Sequence, residues 1–191
     1  TEWGYQVTRG LGKTGVVGSL SKGDSPRTIG LRADMDALPI EETTGLPWAS
    51  TAPGKMHACG HDGHTTILLA AAKYIASPAC QFNGTVHLIF QPAEEAIGGA
   101  DLMIKDGLFE QFPCERIFGL HNMPGLPVGK LGFYAGNFMA SADTVKITIT
   151  GYGGHGAHPE RTVDPIVAGA ALVMALQSIV ARNVPPGETA V

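Results

Sequence analysis

The chain has 191 residues, 44% of them hydrophobic, which is enough apolar material for one sizeable domain or two small ones. Its net charge of -4 comes from 17 acidic residues against 13 lysines and arginines that form no long run, so neither nucleic acid nor a membrane is expected as a partner. Three cysteines without framework spacing favour reduced thiols in a cytoplasmic protein over a disulfide scaffold.

The first part of the chain alternates predicted strands with predicted helices. VVGSL and TIGLRAD are predicted to be short strands joined by a polar turn, and residues 64–77 to be a helix whose apolar side chains share one face. Residues 85–90 and 116–121 are predicted strands, with a short helix between them that ends at Gly107. Because the strands are apolar rather than alternating, the pattern predicts an α/β fold with a mostly parallel sheet flanked by helices.

The pattern changes near residue 138. ADTVKITITGYG alternates polar and apolar residues, as a strand with one solvated face does, and a long helix is predicted over 162–182. Its apolar stretch 166–176 is shorter than the roughly 20 residues that cross a bilayer, so we expect a buried helix. We therefore predict a domain over 1–137 and, over 138–191, the first half of a smaller α+β domain, in a chain that continues beyond its ends.

Four short segments carry clustered polar side chains, and three of these segments directly follow a predicted strand. The residues are Asp34 and Asp36, Cys59 and His61, Glu94 and Glu95, and His121. Because the carboxyl ends of strands in an open α/β sheet meet at one rim, we expect these segments to converge. Thiolate, imidazole and carboxylate are ligands that Zn²⁺ accepts, so the pattern predicts a dinuclear metal site in which the paired glutamates serve as ligand and as proton acceptor.

Simpler interpretations exist for each residue taken alone. A single histidine is more often packed or solvated than a ligand, and a Glu-Glu pair usually lies on a solvated face; their conjunction favours the metal. Asp62 either orients a ligand imidazole or caps the helix, and the neighbouring His57 and His64 have no assigned role. His155, in the glycine-rich GYGGHGAHPE, fits a flexible loop and a ligand contact equally well. The chain contains neither H-E-x-x-H nor G-x-S-x-G.

Five segments resemble, in order, motifs of the dinuclear-metal aminoacylase and carboxypeptidase superfamily. They are GLRADMDALPIEE, MHACGHDGHT, IFQPAEE, GLHNMPGLPVG and GGHGAHPERTVDP. They are most similar to the amidohydrolase branch, with its hippurate hydrolases, N-acyl-amino-acid amidohydrolases and auxin-conjugate hydrolases. The resemblance implies a zinc-peptidase-like catalytic domain with a lid domain, and two divalent metal ions, zinc or manganese ahead of cobalt or nickel. The implied reaction cleaves a small N-acyl amino acid into a carboxylic acid and an amino acid, in a homodimer formed through the lid.

The same resemblance implies roles for individual residues. The implied metal ligands are Cys59, His61, Glu95 and His121, with Cys59 bridging the ions. Glu94 would be the general base, Asp36 would orient a ligand, and His155 on the lid would donate to the developing oxyanion, often in the site of a partner subunit. A further histidine ligand is expected beyond the end of this sequence. Two alternatives remain: a non-catalytic or fragment form that binds ligand without turnover, and a peptidase or deacylase acting on related amides.

Overall fold

The computed structural model describes residues 2–136, 138–139, 141–185, 187–188 and 190. The chain divides into two compact units, Thr1–Lys130 and Leu131–Val191. The sequence places the domain boundary at residue 137, which lies outside the described residues, so that boundary stays a prediction.

A five-stranded sheet forms the centre of the first unit, in the order β1-β2-β4-β3-β5. The strands are β1 (Gln6–Leu11), β2 (Gly15–Lys22), β3 (Thr28–Asp34), β4 (Gly84–Gln91) and β5 (Arg116–Gly119). β2 pairs antiparallel with both β1 and β4, whereas β3 pairs parallel with both β4 and β5. The parallel half of the sheet therefore aligns the carboxyl ends of β3, β4 and β5 at one edge.

The predicted α/β fold is confirmed, with a mixed sheet in place of a mostly parallel one. The turn 12–14 between β1 and β2 is too short for a crossover, so these two strands must be antiparallel. β2 and β3 run in opposite directions, and β4 lies between them, antiparallel to one and parallel to the other. β1 was not predicted, because QVTRGL lacks the run of apolar residues that marked the other strands.

Helices cover both faces of the sheet. Helix α1 (His61–Ala76) packs Leu68 and Ala72 into one core, and helices α2 (Gly99–Lys105) and α3 (Leu108–Gln111) contribute to a second core. The first core contains Tyr5, Ala33, Leu68, Ala72, Val86 and Leu88, and the second contains Leu11, Val17, Ile89, Met103 and Leu108. Successive side chains of a strand point to opposite faces, which is why β4 supplies both cores.

Two boundaries differ from the prediction in ways that affect the candidate site. Helix α1 begins at His61 rather than at residue 64, because Gly60 before it adopts a left-handed conformation, with φ of 83°, and ends the preceding loop. His61 and His64 therefore both belong to the first turn of the helix. β5 ends at Gly119, so His121 lies in the loop that follows the strand.

The second unit contains one long helix, α4 (Pro165–Asn183), after a short 3₁₀ helix, Pro159–Arg161. Asp164 caps α4 by accepting a hydrogen bond of 2.8 Å from the amide of Ile166. The prediction of a strand over ADTVKITITGYG is wrong for its described residues, where only an isolated bridge from Tyr152 to Val163 forms. A strand needs a partner for its backbone groups, and the described part of the second unit supplies none for 141–151.

No residue of helix α4 is buried, so the prediction of a buried helix is also wrong. The most exposed of its large apolar side chains are Ile166, Val167 and Met174. Helix α4 is long and apolar enough to cross a membrane, but core helices of soluble proteins can have the same length and composition. The absence of a membrane partner therefore stays a prediction.

Candidate metal centre

The polar segments predicted to converge do lie together at one edge of the sheet. Asp34 ends β3, Glu94 and Glu95 follow β4, and His121 follows β5. Helix α1 begins beside these loops and carries His61. The convergence follows from the parallel pairing of β3 with its two neighbours, which brings three strand ends side by side.

His61 lies at the centre of this cluster and is 1% exposed. Its Nδ1 lies 3.2 Å from Oδ1 of Asp36, whose Oδ2 accepts a hydrogen bond of 3.0 Å from the amide of Glu95. Asp36 thus fixes both the imidazole and the loop that carries the glutamates. Nε2 of His61 has no hydrogen-bond partner within the described residues and lies 3.8 Å from Glu95 Oε1 and 4.0 Å from Glu94 Oε2. A buried polar atom without a partner is costly, which marks this nitrogen as a candidate ligand.

Cys59 and His121 complete the cluster. Sγ of Cys59 lies 3.4 Å from Nε2 of His121, and Nδ1 of His121 donates a hydrogen bond of 2.7 Å to the carbonyl oxygen of Asn122. Donor atoms of Cys59, His61 and His121 all lie within 4.8 Å of one another, and so do those of His61, Glu94 and Glu95. His61 belongs to both groups, so the structure brings together every residue that the sequence proposed as ligand or base in this unit.

The electrostatics of the cluster favour a cation. The pKa of the Cys59 thiol is raised to about 11, and burial is the largest cause. The other causes are a hydrogen bond with Glu95 and the negative charges of Glu95 and Glu94. A divalent cation reverses this field, because it stabilises the thiolate and the carboxylates together. The set of thiol, imidazole and carboxylate, together with the unpartnered Nε2 of His61, therefore fits a metal ion.

Asp34 is buried beside the cluster. The side chain is 1% exposed, and its two oxygens lie 2.7 Å from Nδ1 of His64 and 2.8 Å from the guanidinium of Arg32. Burial acts to raise the pKa of Asp34, but the hydrogen bond from His64 and the charge of Arg32 outweigh it, and the pKa is lowered. Asp34 is therefore ionised at neutral pH.

The sequence did not assign roles to His64 and Asn122. His64 is buried one helical turn after His61, and its Nε2 accepts a hydrogen bond of 2.9 Å from the amide of Asn122. The spacing of three residues places His61 and His64 on one face of α1, a signal that depends on starting the helix at His61. The contact with Asn122 has no sequence signature, because a backbone amide makes it.

The two remaining predicted site residues, Asp62 and His155, are both exposed. Asp62 is exposed, α1 is capped by Gly60, and the Asp62 side chain forms no hydrogen bond with any described residue, so neither expected role is observed. His155 belongs to the second unit, where it is exposed and its Nδ1 accepts a hydrogen bond of 3.1 Å from the amide of Ala157. The role of His155 stays a prediction.

A family profile described as "Peptidase family M20/M25/M40" matches residues 30–190, which include every residue of the cluster. The chain belongs to this family. It is 57% identical over 190 residues to the hippurate hydrolase of Campylobacter jejuni, covering 100% of this chain and 49% of that protein.

Solved structures agree with this assignment. A crystal structure of a protein from methicillin-resistant Staphylococcus aureus is similar, with a TM-score of 0.76 and 36% identity over 97% of this chain and 49% of that one. The YXEP protein of Bacillus subtilis, described as a dinuclear metal binding peptidase of the M20 family, has a TM-score of 0.62 and 42% identity. That match covers 67% of this chain and 36% of the other. The chain thus spans about half the length of the curated relative.

Proposed function

We propose that the full-length protein carrying this chain is a metal-dependent amidohydrolase that cleaves N-acyl amino acids such as hippurate into a carboxylic acid and an amino acid. The single observation that carries the proposal is the buried, unpartnered Nε2 of His61 beside the carboxylates of Glu94 and Glu95. The 57% identity to a hippurate hydrolase supports the choice of substrate class.

In this proposal Cys59, His61, Glu95 and His121 would hold two divalent cations. The mixture of thiolate, imidazole and carboxylate suits zinc and accepts manganese, cobalt or nickel. When bound, the cations polarise the scissile carbonyl group and make the attacking water more acidic. Asp36 holds the His61 imidazole through Nδ1, which directs Nε2 into the cluster.

Glu94 is the proposed general base. Its side chain is 43% exposed, against 26% for Glu95, and the amide of Glu95 is tied to Asp36. Glu94 is therefore the carboxylate with more freedom to meet a water and a substrate. An oxygen of Glu94 takes a proton from the attacking water and delivers it to the amide nitrogen as that nitrogen departs.

The second unit has the role of a lid in this proposal. His155 donates a hydrogen bond to the oxyanion that develops on the carbonyl oxygen, and residues 138–191 mediate a homodimer. A small-molecule substrate and a cytoplasmic location complete the proposal. These parts depend on the family resemblance and on the glycine-rich sequence around His155.

The test is hydrolysis of hippurate by the full-length protein before chelation, after chelation and after addition of Zn²⁺, Mn²⁺ or Co²⁺. We expect chelation to abolish release of glycine and one of these cations to restore it. Metal-loaded protein that leaves a panel of N-acyl amino acids intact would contradict the proposal. Because the YXEP protein is described as a peptidase, dipeptides belong in the same panel, and faster turnover of a dipeptide would reassign the substrate.

A further inference from the structure

His64 is a second buried histidine beside the proposed metal ligands, and both of its ring nitrogens have partners. The side chain is 1% exposed, and its ring centroid lies 4.6 Å from that of His121. Nδ1 faces Oδ1 of Asp34 at 2.7 Å, and Nε2 faces the amide nitrogen of Asn122 at 2.9 Å. Donor atoms of Asp34, His61 and His64 also lie within 4.8 Å of one another. Because Asp34 and Asn122 already engage both nitrogens of His64, we do not assign His64 as a metal ligand.

The partners of His64 determine its tautomer. A backbone amide only donates, so Nε2 must accept and carries no proton; Nδ1 then carries the proton and donates to Asp34. Oδ1 of Asn122 also lies 2.8 Å from Nε2. An oxygen that faces the lone pair of Nε2 is repelled by it, so we assign the side-chain amide of Asn122 with its NH₂ group toward the ring.

The backbone of Asn122 connects His64 to His121, because it forms a hydrogen bond with each imidazole. Its amide donates to His64, and its carbonyl oxygen accepts a hydrogen bond of 2.7 Å from Nδ1 of His121. That bond places the proton of His121 on Nδ1 and leaves the lone pair of Nε2 facing Sγ of Cys59 at 3.4 Å. The orientation and tautomer of His121 thus depend on where Asn122 is held.

We propose that His64 is a positioning residue, which holds the loop after β5 through Asn122 so that Nε2 of His121 is presented to a metal ion. Asp34 and Arg32 fix His64 in turn, since the ionised carboxylate of Asp34 accepts from His64 and pairs with Arg32. The inference rests on the proposed function, because it takes His121 as a ligand. Its test is therefore metal affinity, which is measured without any substrate.

The test compares His64→Leu and His64→Gln in the full-length protein, with Zn²⁺ affinity measured by competition against a chromogenic chelator. Loss of a partner that orients a ligand weakens metal binding by about 10- to 100-fold, and we expect this for His64→Leu. Glutamine retains an acceptor for the Asn122 amide, so His64→Gln is expected to recover part of the affinity.

His87→Leu is the matched control. His87 is also buried, lies on β4, and is hydrogen-bonded to Ser19 over 2.7 Å and packed edge-on against Phe112. Its replacement is expected to lower the unfolding free energy without changing Zn²⁺ affinity. Wild-type affinity in His64→Leu, or an equal loss in His87→Leu, would overturn the proposal.

Two further measurements distinguish positioning from general destabilisation. In a His121→Ala background, His64→Leu should cause little additional loss of affinity, whereas a full, additive loss would show that His64 acts independently of His121. The tautomer of His64 can be measured by nitrogen NMR in the wild-type protein, so this experiment does not depend on a variant that folds. We expect the proton of His64 on Nδ1, and a proton on Nε2 would overturn the inference. Absence of hydrolysis with this affinity series intact would refute only the proposed function.

Discussion

Two buried histidines of the first unit, His61 and His64, are held differently from His155 of the second unit. In the first unit His61 and His64 are buried, and their nitrogens face Asp36, Asp34 and Asn122, which lie 25 to 58 positions away in the chain. In the second unit His155 is exposed, and among the described residues its hydrogen-bond partner is Ala157, two positions away. Long-range contacts fix a side chain against the rest of its unit, whereas a local contact fixes only a turn. Orientation is therefore built into the metal centre, while His155 depends on what approaches it.

The energetic cost of a mispaired group differs in the same way. A buried donor or acceptor that loses its partner costs about 1 to 3 kcal/mol, because water cannot replace that partner. Around His61 this cost favours a single arrangement. Among the described residues, two buried side-chain atoms here lack a hydrogen-bond partner, Nε2 of His61 and Oδ2 of Asp34, and Nε2 is the one that we assign as a ligand. Around His155 water satisfies the same atoms, so replacement there affects chemistry rather than stability.

The largest expected effect is on Glu94. Glu94→Gln keeps the shape of the side chain but removes the proton acceptor, so we expect kcat for hippurate to fall by about 10²- to 10⁴-fold with metal content unchanged. The measurement is steady-state hydrolysis combined with elemental analysis. Glu115→Gln removes the charge from an exposed ion pair with Arg27 and keeps an oxygen that can accept from the amide of Thr28, so this control should retain full activity. An active Glu94→Gln enzyme would refute the base assignment.

His155→Ala tests the role of the exposed histidine in the second unit. The proposed oxyanion donor predicts a fall in kcat of about 10²- to 10³-fold. Because His155 is exposed, thermal unfolding should not change. His158→Ala removes the neighbouring imidazole and its contact with Glu160 over 3.3 Å, and should change kcat much less. Equal losses in the two variants would mean that the turn, rather than His155, matters.

The thiol of Cys59 predicts how metal affinity depends on pH. Its raised pKa, about 11, means that the thiol is protonated at neutral pH and must lose a proton on binding a cation. Apparent Zn²⁺ affinity should therefore rise about tenfold per pH unit through this group at pH values below its pKa. Cys59→Ala should flatten this dependence and weaken binding, whereas Cys80→Ala should do neither. An unchanged pH dependence in Cys59→Ala would remove Cys59 from the ligand set.

The smallest expected effect concerns the entry to helix α1, where two glycines form a matched pair. Gly60 has φ of 83°, and a Cβ there would lie 2.7 Å from the side-chain amide of Asn122. Gly60→Ala should therefore lower the unfolding free energy by about 1 to 3 kcal/mol. Gly63 is helical with open space around it, and Gly63→Ala should stabilise by about 0.5 to 1 kcal/mol. Denaturant titration of both variants measures the difference, and equal stabilities would contradict the described loop geometry.

The sequence predicted the parts of the molecule that depend on local pattern. Apolar strands followed by polar clusters indicated that Asp36, Glu95 and His121 meet at one edge, and they do. The mixed sheet was missed because β1 pairs with β2 through backbone groups that its side chains do not reveal. The link from His64 to Asn122 was missed for the same reason. The exposure of α4 shows that an apolar pattern predicts a face to be covered, not the partner that covers it.

Anomalous diffraction from crystals of the full-length protein soaked with Zn²⁺ tests the central claim most directly. We expect two peaks at the edge where β3, β4 and β5 end, with Sγ of Cys59 about 2.3 Å from a zinc ion and Nε2 of His61 and His121 about 2.0 to 2.1 Å from one. Peaks only elsewhere, or zinc bound without Cys59, His61 and His121, would contradict it.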